Sequence, residues 1–372
     1  MKINKKIVML NGSLAGGGAE GVCVNIANNL VLRGWQVDLL ILNLKNEVYR
    51  DRLSDDVNLI NLNVSRARYS SLSLLKYIYK NKPKLFLVFN YELSIMLVIL
   101  RIFLKLKIKI ISRNVSTLSV RIKELGRKSF WSRYVISPFI KFFYPKQDHI
   151  INQCNEMRKD LLIEYPQLNK KSSIIYNPIS SHISDYSNLN DLNLIERKNY
   201  LLCVGRLEEV KAFNYAIEAF AGISDRFPKL RLKIVGKGSL EQDLKNKAWE
   251  LSILDRVDFE GFQENVVPYY LNAKATILTS LYEGYPNALL ESISLGTPVI
   301  SFDCKSGPNE IIKNNINGHL VRYLDVEDLK NKICKILKSD LKRRDIILTS
   351  KKNQIQYVSE LYENLFKLIM KN

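Results

Sequence analysis

Tyr282-Glu283-Gly284-Tyr285-Pro286-Asn287-Ala288-Leu289-Leu290-Glu291 follows a short apolar run, Ala275-Thr276-Ile277-Leu278, and leads into a second apolar stretch that ends at Gly296-Thr297-Pro298. The first run reads as a buried strand. The residues from Pro286 onward read as a helix, because proline at a first helical position gives up only an N–H that has no partner within the helix. The amides of Asn287, Ala288 and Leu289 then stand at the helix N-terminus, where their hydrogens and the helix dipole together favour an anion. A phosphorylated ligand is the expectation. Glu283 lies just before the turn, and Glu291 lies about one and a half turns into the helix. Both carboxylates would repel a phosphate, so each needs another partner. A carboxylate accepts two hydrogen bonds at once, which suits the vicinal hydroxyls of a sugar or a ribose. Taken alone, Glu283 would serve equally as a helix cap and Glu291 as a solvated face residue.

The E-x7-E spacing, with a buried strand before it and Gly-Thr-Pro-Val-Ile after it, resembles the donor-site signature of retaining glycosyltransferases of family 4. That resemblance implies an α/β chain of the GT-B fold, two Rossmann-like domains whose parallel sheets face a central cleft. Further motifs in the second half extend it. Tyr200 to Leu207 reads as a strand and turn, with Lys211 at the head of the following helix, in the pattern G-R-L-x-x-x-K. In the family this pattern brings Gly205, Arg206 and Lys211 to the donor diphosphate, where cations oppose the charge developing on the departing nucleotide. Outside that context the two cations would be surface charges at a strand end. Leu230 to Val235 opens onto Gly236-Lys237-Gly238-Ser239-Leu240, similar to the family's V-G-x-G-x-L turn near the nucleotide. Val257 to Phe262 resembles a strand and turn whose backbone meets the base. The resemblance also assigns Gly284, Tyr285, Asn287, Ala288, Leu289 and Glu291 to the nucleotide and Glu283 to the transferred sugar. Ser306-Gly307-Pro308-Asn309-Glu310 resembles a segment of envelope-polysaccharide members. No metal and no cofactor is implied.

Length and composition set the frame. The 372 residues, 47% of them hydrophobic, suffice for two cores. The boundaries expected are an acceptor-side domain over 1–178, a linker over 179–198, a nucleotide-sugar domain over 199–350, and a helix over 351–372 that crosses back to the first domain. Five cysteines without a CxxC pair read as buried thiols of a reducing compartment. Ile7 to Leu10 is too short for a signal-peptide core and reads as the first strand. Leu93 to Leu104, broken by Arg101, falls short of the roughly 20 residues that span a bilayer.

The net charge of +19 is unevenly spread: residues 1–176 hold 29 Lys+Arg against 12 Asp+Glu, a net of +17, and residues 177–372 hold 27 against 25, a net of +2. A basic half points to an anionic partner, whether nucleic acid, membrane or pyrophosphate. Strands alternate with helices through that half, which predicts a parallel sheet covered on both faces. Asn11 to Glu20 is a loop feeding a helix, and Gly16, Gly17 and Gly18 permit close backbone approach, as in the glycine-rich loop of the GT-B amino-terminal domain; an ordinary turn has the same composition. Ser112-Arg113-Asn114 ends a strand and so is placed to face ligand, with Arg113 supplying positive charge where many family members carry a histidine. Residues 121–146 interleave Arg127, Lys128, Arg133 and Lys141 with Phe130, Trp131, Phe142 and Phe143. The pattern fits contact with an anionic membrane and equally a half-buried core helix, which Pro138 would break in two.

The function expected is transfer of a hexose or N-acetylhexosamine, from a nucleotide sugar that is UDP-linked, to a lipid-linked or polysaccharide acceptor of the cell envelope (O-antigen or capsule type). The enzyme would work in the cytoplasm, peripheral on the inner face of the membrane. A UDP-sugar 2-epimerase of the same fold is one alternative. A basic nucleic-acid-binding protein is the other, although no nucleic-acid module is recognisable and no nucleic-acid partner is expected.

Overall fold

The computed structural model describes residues 5–371 apart from 46, 116, 118, 120–133, 135–136, 190–191 and 193–194. Contacts divide the chain into two compact units, Met1–Ser180 with Ile355–Asn372, and Ser181–Gln354.

The first unit holds a sheet of seven strands: Lys6–Asn11 (β1), Gln36–Ile41 (β2), Asn58–Asn61 (β3), Leu85–Val88 (β4), Lys109–Arg113 (β5), His149–Asn152 (β6) and Ser172–Ile174 (β7). Their order is β3-β2-β1-β4-β5-β6-β7. The helices of this unit are Gly18–Leu32 (α1), Ser71–Asn81 (α2), Tyr91–Phe103 (α3), Ser137–Phe143 (α4) and Asn155–Glu164 (α5), and the last helix of the chain also packs here. Successive strand residues point to opposite faces. Val8, Leu10, Phe86 and Val88 therefore join α2 and α3 in one buried cluster, while Ile7, Met9, Leu39 and Leu87 join α1 and the last helix in another. This two-sided burial is why the strands read as unbroken apolar runs rather than alternating ones. Asn90 starts α3 by accepting from the amides of Glu92 and Leu93 at 2.8 and 3.4 Å.

The second unit begins with Ser181–Leu189 (α6), a helix within the stretch read from sequence as linker. Its sheet consists of Tyr200–Val204 (β8), Arg231–Val235 (β9), Val257–Gly261 (β10), Ala275–Leu278 (β11), Val299–Phe302 (β12) and Gly318–Val321 (β13). The order is β10-β9-β8-β11-β12-β13. Its helices are Phe213–Ala221 (α7), Glu241–Glu250 (α8), Val267–Asn272 (α9), Asn287–Ser294 (α10), Pro308–Ile311 (α11), Val326–Leu337 (α12) and Arg343–Leu348 (α13). All five cysteines are buried free thiols. No helix among the described residues is long and apolar enough to cross a membrane.

Ile355–Lys371 (α14) lies on α1 in the first unit and completes its second cluster with Val358, Tyr362, Leu365 and Phe366. Phe366 packs edge-on against Trp35, ring centroids 5.3 Å apart. Glu363, buried, accepts from Trp35 Nε1 at 2.8 Å and from Arg33 Nε at 2.6 Å. Burial alone would raise its pKa, but the bonds from Trp35 and Arg33 and the Arg33 charge outweigh that and hold the carboxyl below its usual range. A folded pKa lowered in this way stabilises above the unfolded value and is lost as pH falls through the folded one. Glu363→Gln is therefore expected to cost about 1–3 kcal/mol at pH 7, with the gap to wild type closing as pH falls through the lowered folded value. Urea melts across that range check it, and a gap that does not change with pH would refute the charge assignment.

Candidate active site

The strand order of the second sheet, 3-2-1-4-5-6 within the unit, reverses direction between β8 and β11. In an open parallel sheet the loops leaving the two strands at such a reversal diverge and leave a crevice at their carboxyl ends. The motifs singled out in the sequence converge there. Gly205, Arg206 and Lys211 follow β8, and Glu283 follows β11.

The loops at this edge are knitted through the main chain. Gly205 N donates to Val235 O at 3.0 Å, Leu207 N to Lys237 O at 3.0 Å, and Gly236 N to Gly261 O at 2.8 Å. Gly236, at φ +146°, comes so close that a Cβ would stand 1.8 Å from Gly205 O, and a Cβ on Gly238 would stand 2.3 Å from Leu207 O. These two glycines are thus required by backbone contact between the β8 and β9 turns. Glu208 ties the same loops from the side, accepting from Ser239 Oγ at 3.1 Å.

Lys211 closes a short 3-10 turn, Glu209–Lys211, and the chain then passes through a left-handed residue, Ala212 at φ +45°, before α7. A non-glycine residue held in that region stores strain, a feature common at functional sites. The next strand clamps the turn. Leu281 N donates to Val210 O at 2.9 Å, and Thr279 Oγ1 donates to Lys211 O at 3.1 Å. Lys211 Nζ is thereby brought to Glu283 Oε1 at 2.6 Å, with Ser280 Oγ donating to the same oxygen at 2.7 Å. Glu283 Oε2 has no partner among the described residues. The Arg206 side chain is exposed and meets no carboxylate among them. One anchored ammonium, one unpaired guanidinium and one open carboxylate oxygen therefore occupy a single strand edge.

The turn before α10 differs from the sequence reading in one respect. Pro286 is the N-cap, with extended backbone, and the helix starts at Asn287. Gly307 approaches this turn so closely that a Cβ there would lie 2.8 Å from Pro286 Cδ and 2.9 Å from Gly284 O. Tyr285 and Leu289 are buried, so their side chains belong to the core, and only their main chain is available at this edge. Asn287 and Ala288 are half-buried. Glu291 accepts from Tyr270 Oη at 3.1 Å, and Phe262, just after β10, is exposed.

In the first unit the order reverses between β1 and β4, and the glycine-rich loop leaves β1 at that point. Gly16 takes φ +93° against Val48, and Gly17 is the N-cap of α1 with Gly18 its first residue. Arg113 departs from expectation. Its side chain is only 1% exposed, with Nε donating to Tyr362 Oη at 2.7 Å, Nη2 donating to Asn177 Oδ1, and the guanidinium over the Phe89 ring. Helix α14 covers the end of β5, so this cation anchors the last helix instead of facing ligand. The partner lies 249 positions downstream, and no local pattern announces it. His149 and His319, both on strands, are pushed down to about 4 by burial and are neutral at pH 7. Of the interleaved basic and aromatic stretch, Arg127, Lys128, Phe130, Trp131 and Arg133 lie outside the described residues. α4 begins at Ser137 with Pro138 in its first turn, turning Phe143 inward and Phe142 and Lys141 outward.

Two family descriptions match the chain, "Glycosyltransferase Family 4" over residues 16–182 and "Glycosyl transferases group 1" over residues 187–353. The chain belongs to glycosyltransferase family 4. Among family 4 relatives, the amylovoran biosynthesis glycosyltransferase AmsD of Erwinia amylovora is 22% identical over 96% of this chain and 97% of its own. A Campylobacter jejuni enzyme, N-acetylgalactosamine-N,N'-diacetylbacillosaminyl-diphospho-undecaprenol 4-alpha-N-acetylgalactosaminyltransferase, is 27% identical over 64% of this chain and 63% of its own. In three curated relatives the aligned stretch spans 39–63% of their length. Among solved structures, Anabaena Alr3699/HepE, crystallised with UDP, superposes with a TM-score of 0.77 at 16% identity, over 97% of this chain and 99% of that one. The fold is GT-B, with a Rossmann-like α/β sheet in each unit.

The backbone contact at Gly236 makes a direct prediction. Gly236→Ala should destabilise the second unit by about 3 kcal/mol or more, because the new methyl meets main chain that has nowhere to move. Gly34→Ala, also at positive φ but with nothing within 4 Å of its Cβ, should cost only about 1 kcal/mol. Thermal melts of the two variants compare them, and equal losses would mean that the Gly205 approach is not the constraint.

Proposed function

We propose that the chain is a retaining, metal-independent glycosyltransferase that moves a hexose or N-acetylhexosamine from a UDP-linked sugar to a lipid-linked or polysaccharide acceptor of the cell envelope. The observation that carries this reading is the convergence of Arg206, the Lys211–Glu283 pair and the start of α10 at the reversal point of one sheet. The names of the relatives support the acceptor class, since the Campylobacter jejuni enzyme acts on an undecaprenol-linked diphosphate sugar. The UDP in HepE supports the donor.

The residues divide the work as follows. Arg206 and Lys211 meet the donor diphosphate, where negative charge grows as the glycosidic bond breaks, and the amides that open α10 add fixed dipoles. Glu283 holds Lys211 through Oε1 and offers Oε2 to hydroxyls of the transferred sugar, which fixes the anomeric carbon relative to the phosphate. Glu291, steadied by Tyr270, accepts from the ribose. Gly236 and Gly238 let the nucleotide approach main chain. Arg206→Ala and Lys211→Ala are each expected to lower turnover ten- to a thousandfold, about 1.4–4 kcal/mol in barrier, and Arg206→Ala, at an exposed position, should leave the melting temperature little changed. Incubation with a panel of nucleotide sugars, following nucleotide release and glycan product, tests the reading. Release of an epimerised sugar, or no turnover of any donor, would overturn it.

The membrane side of the proposal rests on the first unit. At the end of α3, Ile102, Phe103 and Leu104 are exposed, Phe103 by 72%, and exposed Lys105 and Lys107 follow. α4 packs on α3 and exposes Phe139 and Phe142, with Lys146 4.3 Å from the Phe142 ring centroid. Apolar side chains among lysines suit a peripheral contact with an anionic leaflet on the cytoplasmic face. Each such lysine contributes about 1 kcal/mol, so removing Lys105, Lys107 and Lys146 together should weaken vesicle binding about hundredfold. Sedimentation with anionic vesicles at low and high salt measures it, and binding indifferent to both salt and these lysines would exclude this surface.

A further inference from the structure

The second unit carries a basic hollow at the other ends of its strands. A cavity of about 530 Å³ opens beside Lys274, which precedes β11, and Arg197, which precedes β8. It thus lies at the amino edge of the sheet, whereas Arg206, Lys211 and Glu283 stand at the carboxyl edge. Lys342, Arg343 and Arg344 bring the cations of its lining to five, against two carboxylates, Glu196 and Asp340. Its volume is that of a small-molecule site.

Two of the cations are fixed on main-chain oxygens. Arg343, 7% exposed, donates through Nη1 to Leu295 O at 3.2 Å and through Nη2 to Leu271 O at 2.7 Å and Ile195 O at 3.0 Å. Arg197 donates through Nη2 to Gly296 O at 2.8 Å and Leu341 O at 3.3 Å. Among the described residues neither forms an ion pair, and Arg197 Nε is buried with no acceptor. Burial, then the Arg197 charge, pushes Arg343 down to about 10, and burial lowers Arg197 as well, with Asp340 offsetting part of that. Capping the carbonyls at the end of α10 and α9 explains why two arginines sit here. It does not explain the unpartnered Nε, the open volume, or the three further cations around it. Like charges held together, Arg343 buried and Arg197 and Lys274 half-buried, cost energy that an anion between them would return.

We propose that this cavity binds a small soluble molecule bearing a phosphate or diphosphate. A phosphate presents enough acceptors for a guanidinium fork and an ammonium together. None of the apolar lining residues, Ile195, Ile336, Leu337 and Leu341, is exposed, so the hollow has nothing to insert into a bilayer, and a soluble source fits it better than a lipid headgroup. The site stands independently of the transfer reaction.

Inorganic pyrophosphate and orthophosphate, titrated calorimetrically at constant ionic strength into the Arg206→Ala/Lys211→Ala protein, report on this cavity without the donor-site cations. One saturable site is expected, weakened about tenfold or more when Lys274→Glu and Arg344→Glu are added. Lys342→Glu with Arg344→Glu, both at exposed positions, serves as the second variant should the first not fold. In wild type saturated with UDP, pyrophosphate should raise the melting temperature beyond the effect of matched sodium chloride. Absence of a saturable site, or a titration unchanged by either pair of charge reversals, would overturn the proposal. Competition by phosphatidic acid vesicles would overturn its soluble source.

Discussion

A parallel strand pair cannot be closed by a tight turn; the chain must return over one face of the sheet before it can pair again. Every described strand pairing in this protein is parallel. From that one constraint the rest follows. Crossing helices cover both faces, the strands between them become apolar throughout, and all carboxyl ends gather along one edge. Polar residues that follow different strands are brought side by side there, as Lys211 and Glu283 are although 72 positions apart in sequence. The reversal of strand order between β8 and β11 decides which of those neighbours are separated by open space.

Electrostatics at that edge depends on the same framework. The Lys211 turn is held by hydrogen bonds from Thr279 and Leu281, residues of the adjoining strand end, so the Lys211–Glu283 pair is positioned by main chain as well as by its own attraction. Two partly buried charges are costly to desolvate, and a pair with good geometry and an extra hydroxyl donor offsets much of that cost. What remains is an arrangement that needs little reorganisation when a charged ligand arrives.

Much of this was legible in the sequence because the signals are local. Gly205-Arg206, Lys211, Gly236, Gly238 and Glu283 each follow an apolar run read as a buried strand, and the structure puts each in the loop that leaves such a strand. The boundaries of β11, Ala275–Leu278, match the sequence reading residue for residue, and β1 extends the expected Ile7–Leu10 by one residue at each end. β3 escaped because Asn58-Leu59-Ile60-Asn61 carries only two apolar residues. Arg113 was misplaced for a different reason. Its position at a strand end is correct, but the fate of its side chain is set by Tyr362 on α14, a partner no window of sequence contains. Pro286 stands one place from where the sequence reading put it, as cap instead of first helical residue.

The packing of α14 on α1 has a bearing on biosynthesis. The first unit is built from both ends of the chain, and the second is a continuous segment inserted between them. During translation, residues 181–354 are all added to the chain before the helix that the earlier unit lacks. Until Val358, Tyr362 and Phe366 arrive, the buried faces of Val22, Ile26 and Trp35 have nothing to close against. The part made first is thus finished last, and a nascent chain would present that uncovered surface to chaperones for as long as the second unit takes to be synthesised.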